Sequence, residues 1–239
     1  MSSPKEKIIE YTRQIQLNPN FANPYNHRGK AFLDLRYKNF SRAAEYDRNA
    51  IQDFDKAIKL NPNYAEAYNN RGMAYEDYYG ARGRNRAIAD YDKAIKLNPN
   101  FAEAYCNRGG SYDFLGKYER AIFDYNKAIQ LNPNYFKAYR NRGNVYHYLK
   151  QYERAIQDFN NAIAINPNDK FAYTDRGYAY ADLGQYELAI QDFSKAIELE
   201  PNYDSPYLQR ARAYKKLGDN EKTQADFAKY KALGGFAPL

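Results

Sequence analysis

The 239-residue sequence has no tryptophan, two methionines, two histidines and a single cysteine, Cys106. One cysteine excludes an intrachain disulfide. The two histidines, His27 and His147, stand far apart, and neither sits in a metal-ligand or nucleophile–base pattern. The one Gly-rich run, Gly-Ala-Arg-Gly at Gly80–Gly83, lacks the Gly-Lys-Ser/Thr that a phosphate loop needs. These absences leave no catalytic site, no metal and no cofactor to expect, so the chain does not read as an enzyme. No apolar stretch approaches the length of a membrane-spanning helix. The opening MSSPKEKIIE has no basic region followed by an apolar run. A cytoplasmic protein without membrane contact is the expectation. The 36 Lys and Arg against 29 Asp and Glu give a net charge of +7. That is a weak pointer to an acidic partner, and it falls short of a nucleic-acid-binding tail.

What the chain has instead is tyrosine, 27 residues of it, and a period. Ala102 to Tyr135 is a 34-residue frame that recurs without a gap in 136–169 and 170–203. Counting Ala102 as position 1, position 4 is Tyr105, Tyr139 and Tyr173, and position 8 is Gly109, Gly143 and Gly177. Position 11 is Tyr112, Tyr146 and Tyr180, position 20 is Ala121, Ala155 and Ala189, and position 32 is Pro133, Pro167 and Pro201. Tyr105, Gly109 and Tyr112 fall at i, i+4 and i+7, one stripe of a helix, and Ala121, Tyr125 and Ala128 form a second. A lone pair of such helices cannot bury its stripes, so stacked neighbours are required. Glycine inside a helix costs roughly 1 kcal/mol against alanine. Its recurrence therefore predicts a close helix–helix approach, with the position-20 alanine as the expected other side.

The frame Tyr-x-x-Arg-Gly-x-x-Tyr, then Ala-x-x-x-Phe/Tyr, then Pro resembles the tetratricopeptide repeat, a helix–turn–helix unit. The resemblance covers nearly the whole chain. It implies an all-α, right-handed superhelical solenoid of stacked antiparallel helix hairpins. In that frame 3–20 is an N-terminal half-repeat. There Ser3 caps a helix, Pro4 occupies its first turn, Glu6 completes a capping box, and Pro19 ends it. Repeats follow at 22–64, 65–101, 102–135, 136–169 and 170–203, and a degenerate C-terminal cap at 204–237. The first repeat holds nine extra residues and the second three. Ser41 is the expected cap of a lengthened second helix in the first repeat.

One departure is systematic. The family usually has leucine before the glycine; here position 7 is Arg28, Arg71, Arg108, Arg142, Arg176 and Arg210. Position 23 is always aspartate: Asp53, Asp90, Asp124, Asp158, Asp192 and Asp226. The Arg–Asp spacing is 16 in the four later repeats, 19 in the second and 25 in the first. The excess equals the inserted residues, which places both insertions between the two helices, in the connecting turn. A structural pairing is predicted, across the hairpin or between one repeat and the next.

The resemblance further implies an interaction scaffold whose first helices line a concave groove for a protein or peptide partner. The groove-facing positions are acidic early (Glu66, Glu76, Asp77, Glu103) and basic late (Arg212, Lys215, Lys216). Their middle carries Phe114, Tyr148, Phe171 and Tyr178, which the repeat frame does not require. With Lys137, Arg140, Asn144 and His147 these make a candidate partner site; the bland reading is that they only cover the inner surface. A carboxylate clamp of the kind some family members carry is incomplete: Asn107 and Lys137 match, but Met73 and Asn141 depart from it. The alternative surface is a basic edge on the insertions, Arg36, Lys38, Arg42, Arg82, Arg84 and Arg86, suited to an acidic partner or a nucleic-acid backbone. The apolar tail 234–239 leaves self-association open.

Overall fold

The structure, a computed structural model, describes residues 2–36 and 38–236. Among them there is no strand, and no helix is long and apolar enough to cross a membrane. The chain divides into two compact units, 1–131 and 132–239. In the first, α1 (Pro4–Leu17) leads into three hairpins: α2 (Ala22–Arg36) with α3 (Ala43–Leu60), α4 (Ala65–Tyr79) with α5 (Arg84–Leu97), and α6 (Ala102–Phe114) with α7 (Tyr118–Leu131). The second holds α8 (Phe136–Tyr148) with α9 (Tyr152–Ile165), α10 (Lys170–Asp182) with α11 (Tyr186–Leu199), and α12 (Asp204–Lys216) with α13 (Asn220–Ala232). Within each unit every helix packs on the next, so the core is a run of helix–helix seams.

Local chemistry sets the helix ends. Ser3 Oγ accepts from the Glu6 amide at 3.2 Å and Glu6 Oε2 from the Ser3 amide at 2.8 Å, a closed capping box ahead of Pro4. At the Asn-Pro-Asn turns the first asparagine accepts from the amide of the second: Asn61 Oδ1 from Asn63 and Asn98 Oδ1 from Asn100, both at 3.1 Å. Proline stops the helix and the asparagine side chain replaces the backbone acceptor the turn has lost.

The insertions are not confined to the turns. The regular hairpin has helices of 13 and 14 residues, whereas α2 has 15 and α3 has 18. Two of the nine extra residues thus lengthen α2, four lengthen α3, and three stay in the connection. Two of the three in the second repeat lengthen α4, which has 15 residues. Helix extends because each added residue gains a backbone hydrogen bond that a loop residue lacks. Ser41 does not cap α3; its hydroxyl donates to Asn39 Oδ1 at 2.7 Å, and α3 begins after Arg42 without a side-chain cap.

Position 8 does need glycine, but for another neighbour than the one the sequence suggested. A Cβ on Gly109 would lie 2.8 Å from Cε1 of Tyr125, and one on Gly143 2.7 Å from Cε1 of Phe159. The partner is the position-24 ring of the same hairpin, packed flat on the first helix. The position-20 alanines lie between their own first helix and the next hairpin: Ala50 and Phe54 cluster with Leu33 and Ala74, and Ala155 and Phe159 with Ala179, against Tyr146. The alanines and phenylalanines of both clusters are fully buried.

The position-7 arginines are held on several sides. Arg108 donates from Nε and Nη2 to the two carboxylate oxygens of Asp124 at 2.8 and 2.7 Å, closing its own hairpin. Its Nη1 reaches back to Asp92 Oδ1 at 2.6 Å, in the preceding hairpin. Its guanidinium carbon lies 5.5 Å from the Tyr105 ring and 5.9 Å from Tyr112, one turn to either side. Arg71 repeats this with Asp90 and Asp55, and Arg28 with Asp53 and Thr12. In the second unit Arg176 takes Asp192 and Asn160, and Arg210 takes Asp226 and Ser194. Arg142 grips Asp158 at 2.7 and 2.6 Å. Each arginine therefore fastens the two helices of one hairpin, and Arg71, Arg108, Arg176 and Arg210 add a bond to the hairpin before. The carboxylates are deeply buried, Asp124 being 1% exposed.

Two predictions follow from these contacts. Gly109→Ala is expected to destabilise by about 1–3 kcal/mol although alanine is the better helix former. At the adjacent Gly110 the nearest atom to a Cβ is 3.8 Å away, so Gly110→Ala is expected to stabilise by up to about 1 kcal/mol. Urea unfolding followed by circular dichroism reads both signs. Arg176→Leu, which restores the family's usual residue, is expected to cost about 3–5 kcal/mol because it strands Asp192. Arg176→Leu with Asp192→Leu should recover most of that loss; a double variant no better than the single would refute the pairing account.

Candidate functional site

In the second unit the first helices α8 and α10 face each other through two polar stripes. Arg140, Asn144 and His147 follow at i, i+4 and i+7 along one side of α8. Opposite them stand Asp169, which caps α10, and Asp175 and Asp182 on α10 itself. Arg140 Nη1 donates to both oxygens of Asp169 at 3.2 and 3.0 Å, and its guanidinium carbon lies 5.3 Å from the Phe171 ring. Asn144 is hydrogen-bonded to Asp175. His147 Nε2 lies 2.8 Å from Asp182 Oδ2, with its ring 5.4 Å from that of Tyr152. Burial raises the Asp175 carboxyl from 3.8 to about 6; Arg140, the Asn144 hydrogen bond and His147 pull against that, and Asp169 adds to it.

The residues that sequence reasoning placed in the groove therefore divide. Lys137, Tyr148 and Phe171 are exposed, Tyr148 by 67% and Phe171 by 44%. Lys137, Arg140 and Phe171 share a cleft of about 440 Å³ with Phe136, Asp169 and Lys170. Arg140, Asn144 and His147 are engaged with the aspartates of the next first helix. Tyr178 is occupied as well: its hydroxyl is 2.9 Å from Ser205 Oγ and its ring packs edge-on against Phe193. The acidic partners were missed. Asp175 was not among the candidate residues, although an aspartate at a groove-facing position is itself a signal.

In the first unit the same inner positions carry an amide network. Asn70 Nδ2 donates to Asn26 Oδ1 and Asn107 Nδ2 to Asn69 Oδ1, both at 3.0 Å, so Asn107, which matched the clamp, is bonded within the chain. Glu76 collects Arg84 at 3.0 Å, the Tyr91 hydroxyl at 3.1 Å and the Ser111 hydroxyl. Phe114 is 60% exposed, with the Arg84 guanidinium carbon 3.5 Å from its ring centroid.

That geometry corrects the basic edge. Arg36 pairs with Asp47 at 3.0 Å and Asp77 at 3.2 Å, Arg42 with Glu45 at 2.6 Å, and Arg84 with Glu76. Arg86 lies over the Tyr79 ring at 5.1 Å. Lys38 and Arg82 are exposed. Three of the six cations are thus paired with nearby carboxylates, and Asp47 and Asp77 meet Arg36 from two different helices. The tail expectation cannot be followed: Phe236 is exposed, and 237–239 lie outside the described residues. Among the described residues no group of three or more His, Cys, Asp or Glu is placed to hold a metal ion.

A tetratricopeptide repeat family model matches residues 102–135 and 136–169. A second, described as a TPR repeat, matches 43–77, 84–112 and 177–218, and a third tetratricopeptide repeat model matches 159–191. No curated protein matches the chain. Among solved structures, that of a MamA protein is 30% identical, covers 73% of this chain and 92% of its own, and superposes with a TM-score of 0.56. YrrB, described as a TPR protein with an unusual peptide-binding site, is 25% identical, with 76% and 92% covered and a TM-score of 0.59. The Cut9–Hcn1 hetero-tetramer of the APC/C is similar in fold alone, at 17% identity and a TM-score of 0.81 over 97% of this chain and 43% of that one.

The Asp175 carboxyl yields a signed prediction. The folded chain holds that proton up to about pH 6, whereas an unfolded aspartate releases it near 3.8. Ionising Asp175 therefore opposes folding, and its contribution to stability falls as pH rises between those two values. Asp175→Asn is expected to be more stable than the parent by about 1–2 kcal/mol near pH 7.5, and the difference should vanish toward pH 4. Urea unfolding at the two pH values decides it, and a variant less stable at the higher pH would contradict it.

Proposed function

The chain belongs to the tetratricopeptide repeat family, and from that premise we propose that it is a non-catalytic interaction scaffold that holds an extended segment of a partner protein on the first helices of its second unit. The observation that carries this reading is the two exposed rings, Tyr148 on α8 and Phe171 on α10, the second in one cleft with the exposed Lys137. The repeat needs no aromatic at either position. An aromatic that spends most of its surface in water, next to a cation, has the chemistry of an interface anchor. The Arg140–Asp169 pair beneath would hold Phe171 in place through the stacked guanidinium, so the surface is rigid before a partner arrives. Rigidity of that kind lowers the ordering cost of binding. YrrB lends support from outside, since a peptide-binding site is named for that protein.

Arg140 and Asn144 are poor targets for a test, because their loss would leave Asp169 and Asp175 unsatisfied. A photo-reactive benzoylphenylalanine placed at Tyr148 is the direct probe, with the same residue placed at Leu188 on α11, which is 41% exposed. Expressed in the host and irradiated, the Tyr148 variant is expected to trap a discrete partner band that the Leu188 variant does not. Trapping at Leu188 and not at Tyr148 would move the interface to the second helices and overturn the assignment.

A further inference from the structure

We propose that the cleft between α10 and α12 binds an acidic segment of the partner protein, through Arg212, Lys215 and Lys216. This rests on the interaction reading above and specifies the chemistry of the ligand. At about 740 Å³ the cleft is larger than the one at Lys137, and it is lined by Asp182, Tyr186, Gln209, Arg212, Lys215 and Lys216, with Ala181 and Ala213 at its floor. Arg212, Lys215 and Lys216 are exposed.

Charge complementarity identifies the occupant. Elsewhere in the unit the arginines of the first helices meet a carboxylate of the chain itself: Arg140 meets Asp169, Arg142 meets Asp158, Arg176 meets Asp192 and Arg210 meets Asp226. No carboxylate among the described residues pairs with Arg212, Lys215 or Lys216. Asp182, the one acidic residue lining the cleft, is already bonded to His147. Three cations on one concavity outnumber the single carboxylate, Asp182, that lines it, and an anionic ligand relieves the excess. The C-terminal end of α12 accounts in part for Lys215 and Lys216, whose charges favour the last turn of a helix. It does not account for Arg212, one turn further in.

Geometry narrows the ligand. Arg212 and Lys216 are four residues apart on a helix, so their Cα atoms are separated by about 6 Å along the axis. In an extended peptide alternate residues lie about 6.6–6.8 Å apart and point to the same side. An acidic–x–acidic segment therefore matches the pair, with Lys215 contributing beside it. The half-buried Tyr186 ring and the two alanines offer an apolar surface for a neighbouring aliphatic side chain. The carboxylates recognised are side chains, so no free peptide terminus is required.

The test uses the full chain and a fluorescein-labelled peptide, Leu-Glu-Ala-Glu-Ala-Glu-Leu, amidated at its C-terminus, with Gln replacing each Glu in the control. Fluorescence anisotropy reads the affinity at low and moderate salt. The Glu peptide is expected to bind, to weaken steeply as salt screens the charges, and to bind at least about tenfold more tightly than the Gln peptide. Arg212→Ala with Lys215→Ala and Lys216→Ala should lose that advantage. Lys222→Ala with Lys229→Ala and Lys231→Ala, which removes the same charge from α13, should not. Circular dichroism verifies that both variants stay folded. The proposal falls if the Glu peptide does not bind, if the Gln peptide binds equally, if both variants lose affinity alike, or if a short DNA duplex displaces the peptide more effectively than a second acidic peptide does. The interaction reading is judged separately by the Tyr148 cross-link. A cross-linked partner with no acidic preference would leave that reading standing and remove this one.

Discussion

The arginine at position 7 is the interaction on which this fold depends. It takes the place of an aliphatic residue in a seam where two helices of one hairpin meet a third from the hairpin before. A leucine there would contribute apolar area and nothing more. The guanidinium has a planar fork that grips one carboxylate with two hydrogen bonds, a further nitrogen free to reach elsewhere, and flat faces that lie against tyrosine. Arg108 uses all three: Asp124 within its hairpin, Asp92 behind it, and the rings of Tyr105 and Tyr112. Replacing a greasy contact by an ion pair is often no gain in stability, because desolvating both charges offsets their attraction. What the pair adds is direction. Hydrophobic contacts tolerate sliding, whereas a bidentate pair has one register.

That register explains why the chain tolerates its insertions. In the first hairpin Arg28 and Asp53 are 25 residues apart, and in the third Arg108 and Asp124 are 16 apart, yet both pairs close at 2.7 to 2.8 Å. The added residues leave the seam untouched because they are taken up where α2 and α3 run past it. The arginine spacing in the sequence located the insertions between the helices. It could not say that most of them would be helical, since that depends on how far two helices can extend side by side before their ends separate.

Much of the fold was legible because the repeat displays each contact several times over. Glycine at position 8 and alanine at position 20 announced close approach at a glance. Which residue approached which was not legible: the glycine meets the position-24 ring, and the alanine lies between its own first helix and the next hairpin. One-letter periodicity records that a position must be small and does not record what fills the space beside it. The inner face was harder still. Arg140 and Asp169 are 29 residues apart, and His147 and Asp182 are 35 apart, so neither pair joins equivalent repeat positions. Contacts set by the stacking of one hairpin on another become visible only when the stack exists.

The same contacts make the remaining charges informative. A chain that satisfies Arg28, Arg71, Arg108, Arg142, Arg176 and Arg210 internally, and brings carboxylates to Arg36, Arg42, Arg84 and Arg140 as well, has an evident economy of charge. Against that background net charge says little. The balance of the whole sequence does not say which cations already have a carboxylate within a few ångströms. What a partner senses is the charge that is not cancelled, concentrated in a concavity where field lines from several residues converge and water is partly excluded. The first insertion fails that criterion although it is rich in arginine, because Asp47, Asp77 and Glu45 lie against its cations. The end of α12 meets it with only three residues. Counting basic residues along the sequence favours the insertion; asking which of them already have a counter-ion favours α12. The second question follows from the cost of leaving like charges together without one, and it reverses the order of the two surfaces.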